Sequence, residues 1–245
     1  MVTQLAVAGF MVSAAGKTLL IDALHRHPRH APDPETLEKL ENALPPFDNV
    51  DLILVSHSHT DHFHRESVAE HLIHNLEAVL VSGRVVHDEL AELPSYERFR
   101  DRVIVVAPGP GQVVEIEANG IPMRVFRLSH GERNQDYSAD NLGMMADLAG
   151  TKIFNTGDIV PHGQTEIFQE ARMDRDGIDI AFLGFTMFDA NFPEAATIIE
   201  SYIKPRYIVP SHLYENHFGE FTDRIKDRYP NSIIFSSKGE TRFIR

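Results

Sequence analysis

His57, His59, Asp61 and His62 place four potential metal ligands within six positions, directly after the apolar run 51–55. Neutral imidazole and carboxylate are donors that Zn²⁺, Fe²⁺ and Mn²⁺ accept. Where a chain leaves a strand, residues two apart point to the same side, so His57 and His59 are placed to hold one metal. Asp61 and His62 follow in the next turn of chain and suit a second, adjacent metal. The bland alternative is a solvated loop rich in histidine by accident, since the chain carries 14 histidines in 245 residues. So dense a cluster at the end of an apolar strand argues against it. A one-metal or purely structural zinc site is the stronger competitor, and the rest of the chain must decide between them.

A sheet delivers side chains to a common edge where its strands end. Three more ionisable residues stand at such places: His130 after the apolar run 125–128, Asp158 after 153–155, and His212 after 207–209. Each alone is weak, because a strand-end histidine is usually a hydrogen-bonded loop residue and Gly-Asp usually a turn. Together they form a pattern.

The elements that must position these residues can be read from periodicity. Runs 5–13 and 18–24 predict a hairpin. Residues 25–46 read as an insertion with a helix over 35–43, and its His25, His27 and His30 read as an exposed polar loop among prolines. Residues 65–76 predict a helix with His71 and His74 on its surface or flank. Strands and helices alternate to residue 107, and Pro108 to Gly111 break the alternation. A meander over 112–148 follows, then a second alternation containing helices over 164–171, 194–202 and 220–228 and a last strand over 233–235. The economical reading is a single domain, 1–245, with two related halves.

Composition sets limits. A formal charge of −13 argues against a protein that grips nucleic acid by neutralising phosphates. With no cysteine, neither disulfides nor thiolate ligands are available. No apolar run is long enough for a membrane span and no secretory pattern opens the chain, so a cytoplasmic protein without membrane partners is expected. A homo-oligomer remains open.

With His57-Ser58-His59-Thr60-Asp61-His62, then His130, then Thr156-Gly157-Asp158, then Pro210-Ser211-His212, the chain resembles the metallo-β-lactamase superfamily over nearly its whole length. The resemblance implies an α/β, four-layer αββα sandwich of two mixed β-sheets flanked by helices. It also implies that His57, His59 and His130 hold a first metal, that Asp61, His62 and His212 hold a second, and that Asp158 bridges them. Asp61 and His62 set the chain apart from the thiolate-using branch, and His59 from the diiron flavoprotein branch. Run 19–22 and the compact length look like the branch containing L-ascorbate-6-phosphate lactonase.

The implied cofactors are two divalent transition-metal ions, with Zn²⁺ favoured and Mn²⁺ or Fe²⁺ as alternatives. The implied chemistry is hydrolysis by a metal-bridging hydroxide, made available near neutrality by two metals about 3.5 Å apart. Asp61 and Asp158 are then the catalytic carboxylates: Asp61 orients the nucleophile and Asp158 keeps the spacing. The expected substrate is a small lactone, ester or phosphorylated metabolite. A phosphodiesterase or nuclease of the same fold and a non-catalytic metal-binding regulatory protein are the alternatives. Loop 132–141 borders the site, which makes Asn134, Tyr137 and Asn141 candidate substrate contacts, joined by His162 and His217 beyond two of the ligands. His64 reads as the start of a helix.

Overall fold

The computed structural model describes residues 1–131 and 141–244, apart from the side chain of Asn216. Strands β1 (Val2–Gln4), β2 (Phe10–Ala14), β3 (Lys17–Ile21), β4 (Leu52–Leu54), β5 (Val79–Ser82) and β6 (Val103–Val105) lie side by side in chain order. The first three pair antiparallel and the rest parallel. Strands β7 (Val113–Ala118), β8 (Ile121–Arg127), β9 (Leu142–Leu148), β10 (Thr151–Asn155), β11 (Ile180–Gly184) and β12 (Tyr207–Ser211) form the second sheet. Its first four strands are an antiparallel meander and its last three are parallel. A short β13 (Thr241–Arg242) returns to pair with β1.

Alternation along the strands explains the layers. Leu19, Ile21, Leu52 and Leu54 face Val125, Met144, Phe182 and Val209 across the space between the sheets. Their neighbours Leu20 and Ile53 point the other way, against helices α1 (Pro34–Glu41), α2 (Arg65–His74) and α3 (Arg84–Ala91). On the far side Phe126, Phe154 and Ala181 pack against α4 (Thr165–Glu170), α5 (Glu194–Thr197, continued as a π-helix over Ile198–Ile203) and α6 (Glu220–Arg228). Two mixed sheets flanked by helices are therefore the observed architecture, as the motifs implied. Among the described residues, no helix is long and apolar enough to cross a membrane.

Three local expectations are corrected. Run 5–13 is not one strand, because Leu5 and Ala6 both donate to the Gly9 carbonyl, closing a tight turn between β1 and β2. Run 233–235 is not a strand either: only Ile233 donates across to Ile208, and the chain then turns at Ser236, whose amide meets the Glu240 carboxylate at 2.7 Å. Phe235 still contributes to the core, edge-on to Phe10 with ring centroids 5.7 Å apart.

The third correction concerns His71, which is fully buried between α2 and α1 and not on the helix surface. Its Nδ1–H donates to the Leu40 carbonyl at 2.5 Å, while Nε2 has no partner among the described residues. Burial pushes its pKa down to about 4. The unfolded chain therefore binds a proton that the folded chain refuses between about pH 6.5 and pH 4, so stability rises with pH across that window. We expect acidification through it to cost on the order of 3 kcal/mol, and His71→Gln to flatten this dependence. Urea denaturation midpoints measured at pH 7 and pH 4.5 check the expectation, and equal slopes in the two proteins would refute it.

Candidate metal centre

The ends of β4, β8, β10 and β12 converge, and the candidate ligands sit on the loops that leave them. After Ser56 the chain turns at once, since the amides of His62 and Phe63 both donate to the His59 carbonyl at 2.9 Å. That turn folds His62 back beside His57, with ring centroids 4.1 Å apart, while the His59 ring lies 4.6 Å from His57. His130 completes the first group, 4.8 Å from the His57 ring and 4.5 Å from the His59 ring. His212 leaves β12 with a positive φ of 61°, its amide held by the Val7 carbonyl, and its ring stacks 5.2 Å from His62.

Three sets of donor atoms result, each within 4.8 Å of one another: His57, His59 and His130; His57, His62 and Asp158; and Asp61, His62 and His212. Asp158 connects them. Its Oδ1 lies 3.3 Å from His62 Nε2, and its Oδ2 lies 3.6 Å from His130 Nε2 and 3.4 Å from His212 Nε2. Asp61 Oδ2 lies 3.3 Å from His212 Nε2. The structure thus brings all seven sequence candidates into one cluster.

The donor chemistry fits a cation. The Nε2 atoms of His57, His62, His130 and His212 are buried and lack a hydrogen-bond partner among the described residues, so the close carboxylate contacts are electrostatic and not aligned hydrogen bonds. Unpartnered buried nitrogens cost about 1–3 kcal/mol each, a cost that coordination removes. The neighbouring network fixes which nitrogen is free. Asp22 Oδ1 accepts the Ser56 amide at 2.7 Å and Oδ2 accepts the Ser56 hydroxyl at 2.8 Å. With its one hydrogen given to Asp22, Ser56 Oγ accepts from His57 Nδ1–H at 2.9 Å. His62 Nδ1 lies 3.1 Å from the same Asp22 Oδ2. Both rings then turn an Nε2 lone pair into the cluster, as metal-binding histidines with carboxylate partners do.

Burial, followed by the charge of His62, holds the His57 pKa far below the usual histidine range. Burial, followed by the charge of His130, lowers His59. Burial also opposes ionisation of Asp158 and Asp61, but it is outweighed: His62 and His212 keep Asp158 well below the ordinary carboxylate range, and the close contact with His212 lowers Asp61. His62 shifts the other way. Against its own burial, the charges of Asp158 and Asp22 raise it well above the usual range, so a bound cation takes the place of that proton.

Gly157 allows the Asp158 loop to close. Its φ is +54°, and a Cβ there would stand 2.1 Å from Asn141 Oδ1 and 2.8 Å from the Ser56 side chain. Gly157→Ala is expected to cost at least about 2 kcal/mol and to loosen metal retention. Denaturation combined with metal stoichiometry measures both, and unchanged values would contradict this packing.

The other candidates separate. Asn141 is fully buried: its amide nitrogen donates to the Thr156 carbonyl at 3.0 Å and its Oδ1 accepts the Asp158 amide at 3.1 Å. It supports the Asp158 loop from beneath and does not face an opening. His162 is exposed and paired with Glu194 at 3.1 Å. His217 accepts the Tyr214 amide at 3.2 Å and stacks on Phe185. His64 caps α2, accepting the Ser67 amide at 3.4 Å. Asn134 and Tyr137 lie outside the described residues.

His25 and His30 depart from the expected exposed loop. His25 is fully buried, and its pKa is pushed down to about 3 by burial and then by the charge of His62. His30 turns inward, its Nδ1 3.2 Å from Asp61 Oδ2 and its ring 4.8 Å from Tyr214. Prolines and arginines suggested exposure, but the backbone is tied down: His64 donates to Leu24 and Val7 to His30, both at 3.0 Å. Asp22, Ser56 and Tyr214 are not among the sequence candidates, and the sequence reading sets His30 in an exposed loop. Asp22 alone had a signal, standing at the end of an apolar strand like the ligands themselves.

Comparison with known proteins finds the same fold. The model of the beta-lactamase superfamily domain matches residues 17–227. A UPF0173 metal-dependent hydrolase of Pyrococcus furiosus is 28% identical over 216 residues, covering 86% of this chain and 83% of its own length. Among solved structures, Igni18, a metallo hydrolase from Ignicoccus hospitalis, superposes with a TM-score of 0.65 at 16% identity, covering 98% of this chain and 95% of that one. An isothiocyanate hydrolase from Delia radicum gut bacteria gives 0.64 at 15% identity, covering 99% and 98%.

Proposed function

This chain belongs to the beta-lactamase superfamily, and on that footing we propose that its seven clustered residues hold two divalent transition-metal ions, Zn²⁺ in the first place, and hydrolyse a small lactone, ester or phosphorylated metabolite. It is a metal-dependent hydrolase of the metallo-β-lactamase fold. The observation that carries the two-ion reading is Asp158, whose oxygens reach histidines of both groups. When bound, such a pair supplies a water of lowered pKa and polarises the bond under attack.

The chain's own residues do the rest. His57, His59 and His130 form one set of donors, and Asp61, His62 and His212 the other. Asp158 fixes their separation. Asp61, held between His212 and His30, is oriented to accept a hydrogen bond from an incoming nucleophile. Asp22 and Ser56 keep His57 and His62 in one tautomer. The lactone reading follows the resemblance to the L-ascorbate-6-phosphate lactonase branch, while the charge of −13 weighs against polynucleotides.

Metal analysis of the purified protein tests the proposal. We expect about two transition-metal ions per chain, with chelation removing hydrolysis of simple esters and lactones and Zn²⁺ or Mn²⁺ restoring it. Metal-loaded protein that is inert on esters, lactones and phosphodiesters alike would refute it.

A further inference from the structure

A cavity of about 860 Å³ opens beside the metal centre, and His30 and Tyr214 belong to the walls of both. His30 touches Asp61, and the Tyr214 ring lies 5.0 Å from that of His212. Backbone bonds join this wall to the centre, because Val7 donates to His30 and accepts from His212. Away from the ligands the lining changes character: Phe218 offers an apolar surface, and Arg29 and Lys238 bring two cations. Lys238 Nζ donates to the Arg29 and Ala31 carbonyls at 3.2 and 2.5 Å, which sets its charge against the segment that carries Arg29 and His30. Among the described residues, the Arg29 guanidinium forms no hydrogen bond or ion pair. Glu215 also lines the cavity, yet its lining carries more positive than negative charge in a chain of net charge −13. Partial burial lowers the Lys238 pKa, a cost that an anion in the cavity would relieve.

Resting on the hydrolase reading above, we infer that the substrate is an anion: an apolar body with a carboxylate or phosphate tail, the tail held by Arg29 and Lys238 while its reactive group lies at the metal centre. An arginine fork and an ammonium are the donors such oxygens take best.

The test uses zinc-loaded protein and three p-nitrophenyl esters of equal acyl length, ending in methyl, carboxylate or phosphate. An anionic tail is expected to raise kcat/KM at least tenfold over methyl, and the better of the two tails identifies the anion. Arg29→Gln, at an exposed position, should lower that ratio about tenfold through KM, and Arg29→Lys should restore most of it. A ratio of one, or one that Arg29→Gln leaves unchanged, overturns the inference while hydrolysis itself stands. If none of the three esters is cleaved, the ester reading fails instead, and calorimetric titration with glutarate and with inorganic phosphate decides. Binding weakened about tenfold in Arg29→Gln supports the anion site, and no binding, or equal binding in both proteins, overturns it.

Discussion

Asp158→Ala is expected to leave the protein folded, to reduce its bound metal to one ion or none, and to lower hydrolysis on the order of a thousandfold, equivalent to about 4 kcal/mol of lost transition-state stabilisation. Asp158 reaches histidines on both sides of the cluster, with contacts of 3.3, 3.4 and 3.6 Å. Without it, the five imidazoles of the cluster face one another across a space that no longer contains its central negative charge. Asp158→Asn keeps the shape and removes the charge, so it separates the two contributions. It should bind metal better than alanine and turn over no faster. Elemental analysis and ester hydrolysis read the two effects. Two ions and wild-type turnover in Asp158→Ala would eliminate Asp158 as the bridge.

The second large effect is expected at Asp22, which touches no substrate. Asp22 accepts from the Ser56 amide and hydroxyl and meets His62 Nδ1, and it is almost wholly buried. Asp22→Ala strands all three groups, so we expect a loss of about 3–5 kcal/mol in metal-free stability, the range for breaking a buried charged network. Metal affinity should fall 10–100-fold, because His62 loses the partner that holds its tautomer. Asp22→Asn keeps an acceptor for the Ser56 amide and should fall between. Urea unfolding in chelator gives the first quantity and competition with a chromogenic chelator the second. A stable Asp22→Ala protein with normal affinity would show that the network has no such role.

The sequence makes the candidate ligands visible because chemistry and topology leave the same mark on them: each of His130, Asp158 and His212 follows an apolar strand, and the His57 to His62 stretch is dense. The layers are legible for a related reason, since meander and strand-helix alternation occur twice. What escapes is whatever depends on neighbours remote in sequence. Asp22 meets Ser56 across 34 positions and Asn155 across 133, and nothing local marks either pairing. Prolines or helix phase point His25, His30 and His71 to exposed positions, but each is covered by segments that sequence periodicity does not bring near. Asn141 shows the reverse error: proximity to His130 suggested substrate contact, whereas Gly157 and Asp158 fold over it.

The doubled arrangement of meander and parallel strands has a kinetic side. His57, His59, Asp61 and His62 follow a strand of one sheet, and His130, Asp158 and His212 follow strands of the other. Neither sheet holds a complete set of donors, so the cluster can assemble only after the two have docked, late among contacts of large sequence separation. Metal therefore binds the finished protein far better than its precursors and lowers the population of every opened form at once. Amide exchange at the β4 and β12 ends should slow together on metal loading, by the factor that the free metal concentration sets relative to its dissociation constant.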